Sequence, residues 1–152
     1  MKASGGSSSI SGSGGIRLEG DTTFTGDGNL TISHALHNYT DGYGRFATSS
    51  ITKSGSGTLT LTAANGYTGD TSVTAGTLRL GNGSSNSNLA DSANVVIAAG
   101  ATLHLDFNGT DTVNALSVGG IAQAPGVYSA SNSDFIMGAG SLTVLTSAVS
   151  GR

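Results

Sequence analysis

One short unit recurs along this chain and restricts its fold more than any other feature. Gly-x-Leu-x-Leu occurs as Gly57-Thr58-Leu59-Thr60-Leu61 and again as Gly76-Thr77-Leu78-Arg79-Leu80. Variants stand at Gly28-Asn29-Leu30-Thr31-Ile32, Gly100-Ala101-Thr102-Leu103-His104-Leu105 and Gly140-Ser141-Leu142-Thr143-Val144. A glycine ends a turn, and a strictly alternating strand follows with its leucines on one side. Period-two alternation marks a strand buried on one face only. The copies are separated by uneven gaps of roughly twenty to forty residues, which suits stacked coils with variable loops and not a regular meander or propeller. The longest gap leaves room for one further, degenerate copy around Leu116–Val118.

The surrounding residues carry a resemblance. Lys53-x-Gly55-x-Gly57-Thr58-Leu59-x-Leu61 is followed by Asn65-x-Tyr67-x-Gly69-x-Thr71-x-Val73-x-Ala75-Gly76-Thr77-Leu78. This stretch resembles the autotransporter-associated β-strand repeat of long secreted bacterial surface proteins. A looser likeness runs from Gly20 to Thr146. In it, Ala99-Gly100-Ala101-Thr102-Leu103 looks like a second repeat. Val113-Asn114-Ala115-Leu116, Pro125-Gly126-x-Tyr128 and Gly138-x-Gly140-Ser141-Leu142 look like a closing segment. The resemblance implies a right-handed parallel β-helix, secretion to the cell surface and a scaffold role, with no catalytic residues to carry over. Its structural positions are Gly57, Leu59, Leu61, Asn65, Tyr67, Gly69, Gly76, Leu78 and Leu80.

Composition agrees with an all-β, single-stranded parallel β-helix (a β-solenoid) of about six or seven rungs, forming a rod roughly 30 Å long at the usual strand spacing. Charged residues make up only 10%, against 25 glycines and one proline. That is not the charge-rich composition of a disordered tail. A net charge of −3 with six scattered Lys and Arg offers no basic patch for nucleic acid. Cysteine is absent, so rungs must be held by stacking and hydrogen-bond ladders, not disulfides. No apolar run reaches membrane-spanning length. Met1-Lys2-Ala3-Ser4 opens like a signal peptide but continues into Gly and Ser, as expected of a mature product or an excised fragment.

Three segments follow from this reading. Residues 1–15, rich in Gly and Ser, are expected as a tail or donor-type strand outside the solenoid. Residues 16–146 form the solenoid, and 147–152 a C-terminal tail. Within the solenoid, Val95-x-Ile97 should pair with Thr71-x-Val73, because both precede an Ala-Gly corner. Residues 34–50 break the pattern and are expected as an irregular rung or projecting loop. No stretch has a helical period.

Candidate chemistry is sparse. His34-x-x-His37 with Asp41 offers imidazoles and a carboxylate for a metal, but lacks a well-spaced third strong ligand, and two exposed histidines in a loop is the favoured reading. Asp21, Asp27, Asp106 and Asp111 are candidates for acid–base work or calcium, yet Asp beside Gly is ordinary turn chemistry. No nucleophile elbow or phosphate loop is present, so an enzyme and a cofactor are not expected. The outward row Thr58, Thr60, Thr62 is interrupted at equivalent positions by Arg79, His104 and Asp106, which weakens any ice-binding reading. Four Asn-x-Ser/Thr sequons, at Asn29, Asn38, Asn82 and Asn108, are what chance supplies in so polar a chain. The segment holding His34, His37, Tyr39, Tyr43, Arg45 and Phe46 is the candidate ligand or partner loop, with aromatics able to stack on a glycan. The expected function is structural, as a filament subunit or a segment of a long surface β-helix. A carbohydrate-binding or adhesive module and a β-helix polysaccharide lyase or hydrolase are the alternatives. Expected partners are further copies stacked head to tail, or flanking repeats of a longer chain.

Overall fold

The computed structural model describes residues 2–3, 5–40, 42–43, 48–83 and 89–147. Its regular structure is all strand, with no helix among the described residues. Strands this short follow from frequent corners, where Gly, Asn and Asp interrupt each alternating run. The described residues pass through six rungs. The first holds β1 (Lys2–Ala3), β2 (Ser7–Ile10) and β3 (Ile16–Leu18). The second holds β4 (Thr22–Gly26), β5 (Asn29–Ile32) and β6 (Leu36–Asn38). Two shorter rungs follow, with β7 (Ile51–Lys53) and β8 (Thr58–Leu61), then β9 (Thr71–Val73) and β10 (Thr77–Leu80). The fifth holds β11 (Asn94–Ile97), β12 (Thr102–Leu105) and β13 (Thr110–Val113). The last holds β14 (Ala115–Val118), β15 (Ile121–Ala122), β16 (Gly126–Ser129), β17 (Ile136–Met137) and β18 (Ser141–Val144).

Stacking the rungs produces three faces. On the first, β1, β4, β7, β9, β11 and β14 pair in parallel. On the second, β2, β5, β8, β10, β12 and β17 do the same. The third is interrupted: β3 pairs with β6, a bridge joins His37 to Gly66, and β13 pairs with β18. This is the parallel β-solenoid that the repeats imply. Val95 and Ile97 pair with Thr71 and Val73.

The core is a set of columns. Leu30, Leu59, Leu78 and Leu103 lie in register, as do Ile32, Leu61, Leu80 and Leu105, and all eight are buried. Thr60, Arg79 and His104 alternate with them on the outer side, partly exposed. Each fully buried aliphatic side chain contributes about 1.5–3 kcal/mol, so apolar columns rather than single contacts offset the ordering entropy of the coil.

Four expectations need correction. The Gly/Ser segment is not outside the solenoid: Ser7–Ile10 pairs with Asn29–Ile32, and Lys2–Ala3 with Thr25–Gly26. Backbone ladders need no large side chain, and Ile10 opposite Ile32 suffices as an apolar anchor. The solenoid therefore starts before residue 16. Second, Leu116–Val118 does not continue the leucine column; β14 belongs to the first face, and Ile136 takes the place beyond Leu103. Third, the copy at Gly140 forms Ser141–Val144, a strand of the third face stacked on β13. Fourth, Leu36–Asn38 within the irregular segment is an ordinary parallel strand.

Candidate functional site

The corners of the repeat are where polar chemistry concentrates. Gly76 has φ +68°, and a Cβ there would lie 2.3 Å from the Gly57 carbonyl oxygen and 2.9 Å from Lys53 Nζ. Gly57 has no such φ, but a Cβ would approach the Gly28 carbonyl oxygen to 2.0 Å. Glycine is thus required at both by the close stacking of one corner on the next. Lys53 lies under this corner, 3% exposed, and its ammonium donates to the carbonyls of Ser54 (2.9 Å), Gly55 (2.7 Å) and Ala75 (3.3 Å). Burial holds its pKa below the ordinary lysine value.

The next corner is built by Asn65, Tyr67 and Gly69. Asn65 Oδ1 accepts from the Leu36 N–H of the rung before, at 2.9 Å, so it links rungs and does not merely close its own turn. Tyr67 is 2% exposed in the core, and its hydroxyl shares a 2.7 Å hydrogen bond with Thr71. Burial raises its pKa well above the ordinary tyrosine range, and the Asp111 charge adds to this, while the Thr71 hydrogen bond opposes it. Gly69 N–H donates to the Ser49 carbonyl at 2.9 Å.

The aspartates considered for catalysis or calcium are engaged with the scaffold. Asp21 Oδ1 accepts from Ser50 N–H, and Asp27 Oδ1 from Gly5 N–H, both at 3.0 Å. Asp111 accepts from the N–H of Leu89 (2.7 Å) and of Thr112 (2.9 Å). Asp106 pairs with Arg79, whose Nε donates at 3.0 Å. Asp70, which sequence reasoning passed over, accepts from Asn94 N–H at 2.8 Å. Asp21, Asp27, Asp70 and Asp111 satisfy N–H groups from neighbouring rungs, a charge-assisted form of the same job Asn65 does. A cleft of about 410 Å³ opens on the third face beside Asn65, Tyr67, Thr68, Asp91 and Asp111.

The candidate partner segment divides. His37 lies in β6 opposite Arg17, with its Nε2 only 2.4 Å from where a Gly15 Cβ would stand. His34 lies over Gly12, and its Nδ1 is buried with no hydrogen-bond partner. The glycines of the first rung thus leave the room that both imidazoles occupy. Among the described residues no third metal-ligating side chain gathers with them, and Asp41 lies outside those residues. Tyr39 packs its ring under the Arg17 guanidinium, 5.0 Å from centroid. Tyr43 is 87% exposed. Arg45 and Phe46 lie outside the described residues. Sequence reasoning gave no role in the stacked corners to Arg17, Lys53 or Asn38, whose Oδ1 accepts from Ser49 and Thr68 N–H at 3.2 and 3.1 Å. The available signal was position: Asn and Asp recur beside strand ends, where orphan backbone groups need partners.

The fold is a parallel β-solenoid whose stacked corners hold one rung on the next. Residues 51–80 match the family model of the passenger-associated-transport-repeat. The chain is also 42% identical over 102 residues to an adhesin, BmaC autotransporter, of Brucella suis biovar 1 (strain 1330). That match takes in 66% of this chain and 3% of the adhesin, so the chain spans a small part of that relative's length. No solved structure matches the chain significantly.

Proposed function

We propose that the chain is a surface-exposed segment of a long bacterial passenger β-helix and serves adhesion as a non-catalytic scaffold. The observation that carries this reading is its 42% identity to part of an autotransporter adhesin. The engagement of Asp21, Asp27, Asp70, Asp106 and Asp111 with backbone N–H groups or Arg79 supports the non-catalytic part, since a general acid or base needs a carboxylate facing substrate. Of the two structural forms, the segment has more support than a head-to-tail filament. The support is the relative itself, in which the matched stretch makes up 3% of the length.

The test uses beads coated with the purified chain. Retention on epithelial cells or extracellular matrix above that of an unrelated solenoid of equal length is expected. Equal retention would overturn the adhesive role. Incubation with acidic polysaccharides should release no unsaturated uronic acid, and release would revive the lyase alternative. Sedimentation at high concentration should give monomers, whereas fibres would restore the filament form.

A further inference from the structure

The chain contains three Asn-Gly pairs, at Asn65-Gly66, Asn82-Gly83 and Asn108-Gly109, and the structure gives them different chemistry. An Asn-Gly pair can react with itself, because the glycine N–H meets little steric resistance when it attacks the preceding side-chain amide. The reaction requires that both the amide and the N–H be free to move. At Asn65 neither is: its amide oxygen holds Leu36 N–H, and Gly66 N–H donates to the Leu36 carbonyl at 2.8 Å. At the second pair, Asn82 is engaged in an interaction of its own, and Gly83 N–H donates to the Asp106 carbonyl at 2.8 Å. Asn108 and Gly109 are both exposed. Among the described residues neither the Asn108 side chain nor the Gly109 N–H has a hydrogen-bond partner. Gly109 has φ +108°, so this turn uses the one residue type that leaves the nucleophile unshielded.

We infer that Asn108 is a site of spontaneous deamidation in the folded protein, and that the other two pairs are protected. The Gly109 nitrogen bonds to Asn108 Cγ, and its proton leaves with the side-chain nitrogen as ammonia. Water then opens the five-membered imide at either carbonyl, leaving aspartate or isoaspartate at position 108. No oxidant or reductant is needed. The change adds a negative charge two residues from Asp106 and three from Asp111. Isoaspartate also lengthens the main chain just before β13, where the Gly109 carbonyl accepts from Ser141 N–H at 3.0 Å. The modification would therefore loosen the β13–β18 pairing of the last rung with age.

The test is peptide mapping of the folded chain during incubation in mildly alkaline buffer at physiological temperature, beside a urea-unfolded sample. In the folded protein, the peptide containing Asn108 should gain about one dalton at least about tenfold faster than those containing Asn65 or Asn82, because local hydrogen bonding suppresses opening. In the unfolded sample the three rates should converge. A folded-state rate at Asn108 no faster than at Asn65 or Asn82 would overturn the inference, as would persistence of the same ranking in urea.

Discussion

The middle rungs and the closing rung are built from the same alternating strands but are held differently. From β8 through β10 to β12, leucine stacks on leucine in parallel register, and Gly57 and Gly76 let one corner sit directly on the next. Leu59, Leu61, Leu78 and Leu80 each have an aliphatic neighbour above and below. The closing rung instead turns two strands antiparallel, and its apolar residues are partly left to solvent: Ile121 is 68% exposed, Val127 55%, Met137 52% and Leu145 53%. Tyr128 and Phe135 pack against the core end there, ring centroids 6.1 Å apart. A solenoid is stabilised by nearest-neighbour interfaces, so a middle residue acts through two interfaces and a closing one through one.

The comparison is broken most severely by placing a charge in a middle column. Leu61→Asp should abolish cooperative folding, since a carboxylate among Ile32 and Leu80 has no partner. A soluble variant with a normal thermal transition would contradict the column register. Next, Gly76→Val should destabilise by about 3 kcal/mol or more, because both the φ and the space are lacking, whereas Thr60→Val on the outer face should stay within about 0.5 kcal/mol. Equal melting shifts in the two would remove the corner argument. Lys53→Met should cost about 1–3 kcal/mol by leaving three carbonyls without their donor, read from urea midpoints.

Alkali sharpens the same contrast. Tyr67 has a raised folded-state pKa, so the folded chain keeps a proton that the unfolded chain releases near its ordinary value of 10.0. Its contribution is complete below that pH and is lost progressively above it. Lys53, with a lowered folded-state pKa, acts in the opposite sense, and its contribution rises as pH climbs toward 10.5. Stability measured from neutral pH into the alkaline range should therefore fall more steeply in the parent chain than in Tyr67→Phe, with Lys53 present in both. Parallel curves would place Tyr67 in a solvated site. The smallest effect belongs to the closing rung: Ile121→Ser should shift stability by less than about 0.5 kcal/mol, and a large loss would mean that this end is packed like the middle.

How much was legible depends on side-chain size and on locality. The Leu59–Leu78–Leu103 column was readable because period-two alternation is written in consecutive residues. The face to which a strand belongs was not: Gly140–Val144 has the same local pattern as Gly57–Leu61, and only the path of the intervening turns places it over β13 instead of β12. The first rung was hidden for a different reason. Ser7–Ile10 presents almost no apolar surface, so its membership rests on backbone pairing that composition does not report. Asn65 and Tyr67 were legible as structural positions of the repeat, but the Leu36 N–H that Asn65 holds lies a rung away. The distant neighbour that makes Asp111 structural, Leu89, was equally invisible in a linear reading.

The central claim is the parallel order of rungs, and the outward column of the second face tests it without interference from contacts across the core. Thr31, Thr60, Arg79, His104 and Met137 should lie in single file. A nuclear Overhauser map should therefore join Arg79 to Thr60 and His104, and His104 to Met137. Cross-peaks joining His104 to Ser117 or Thr143 in place of Met137 would contradict the stacking described here.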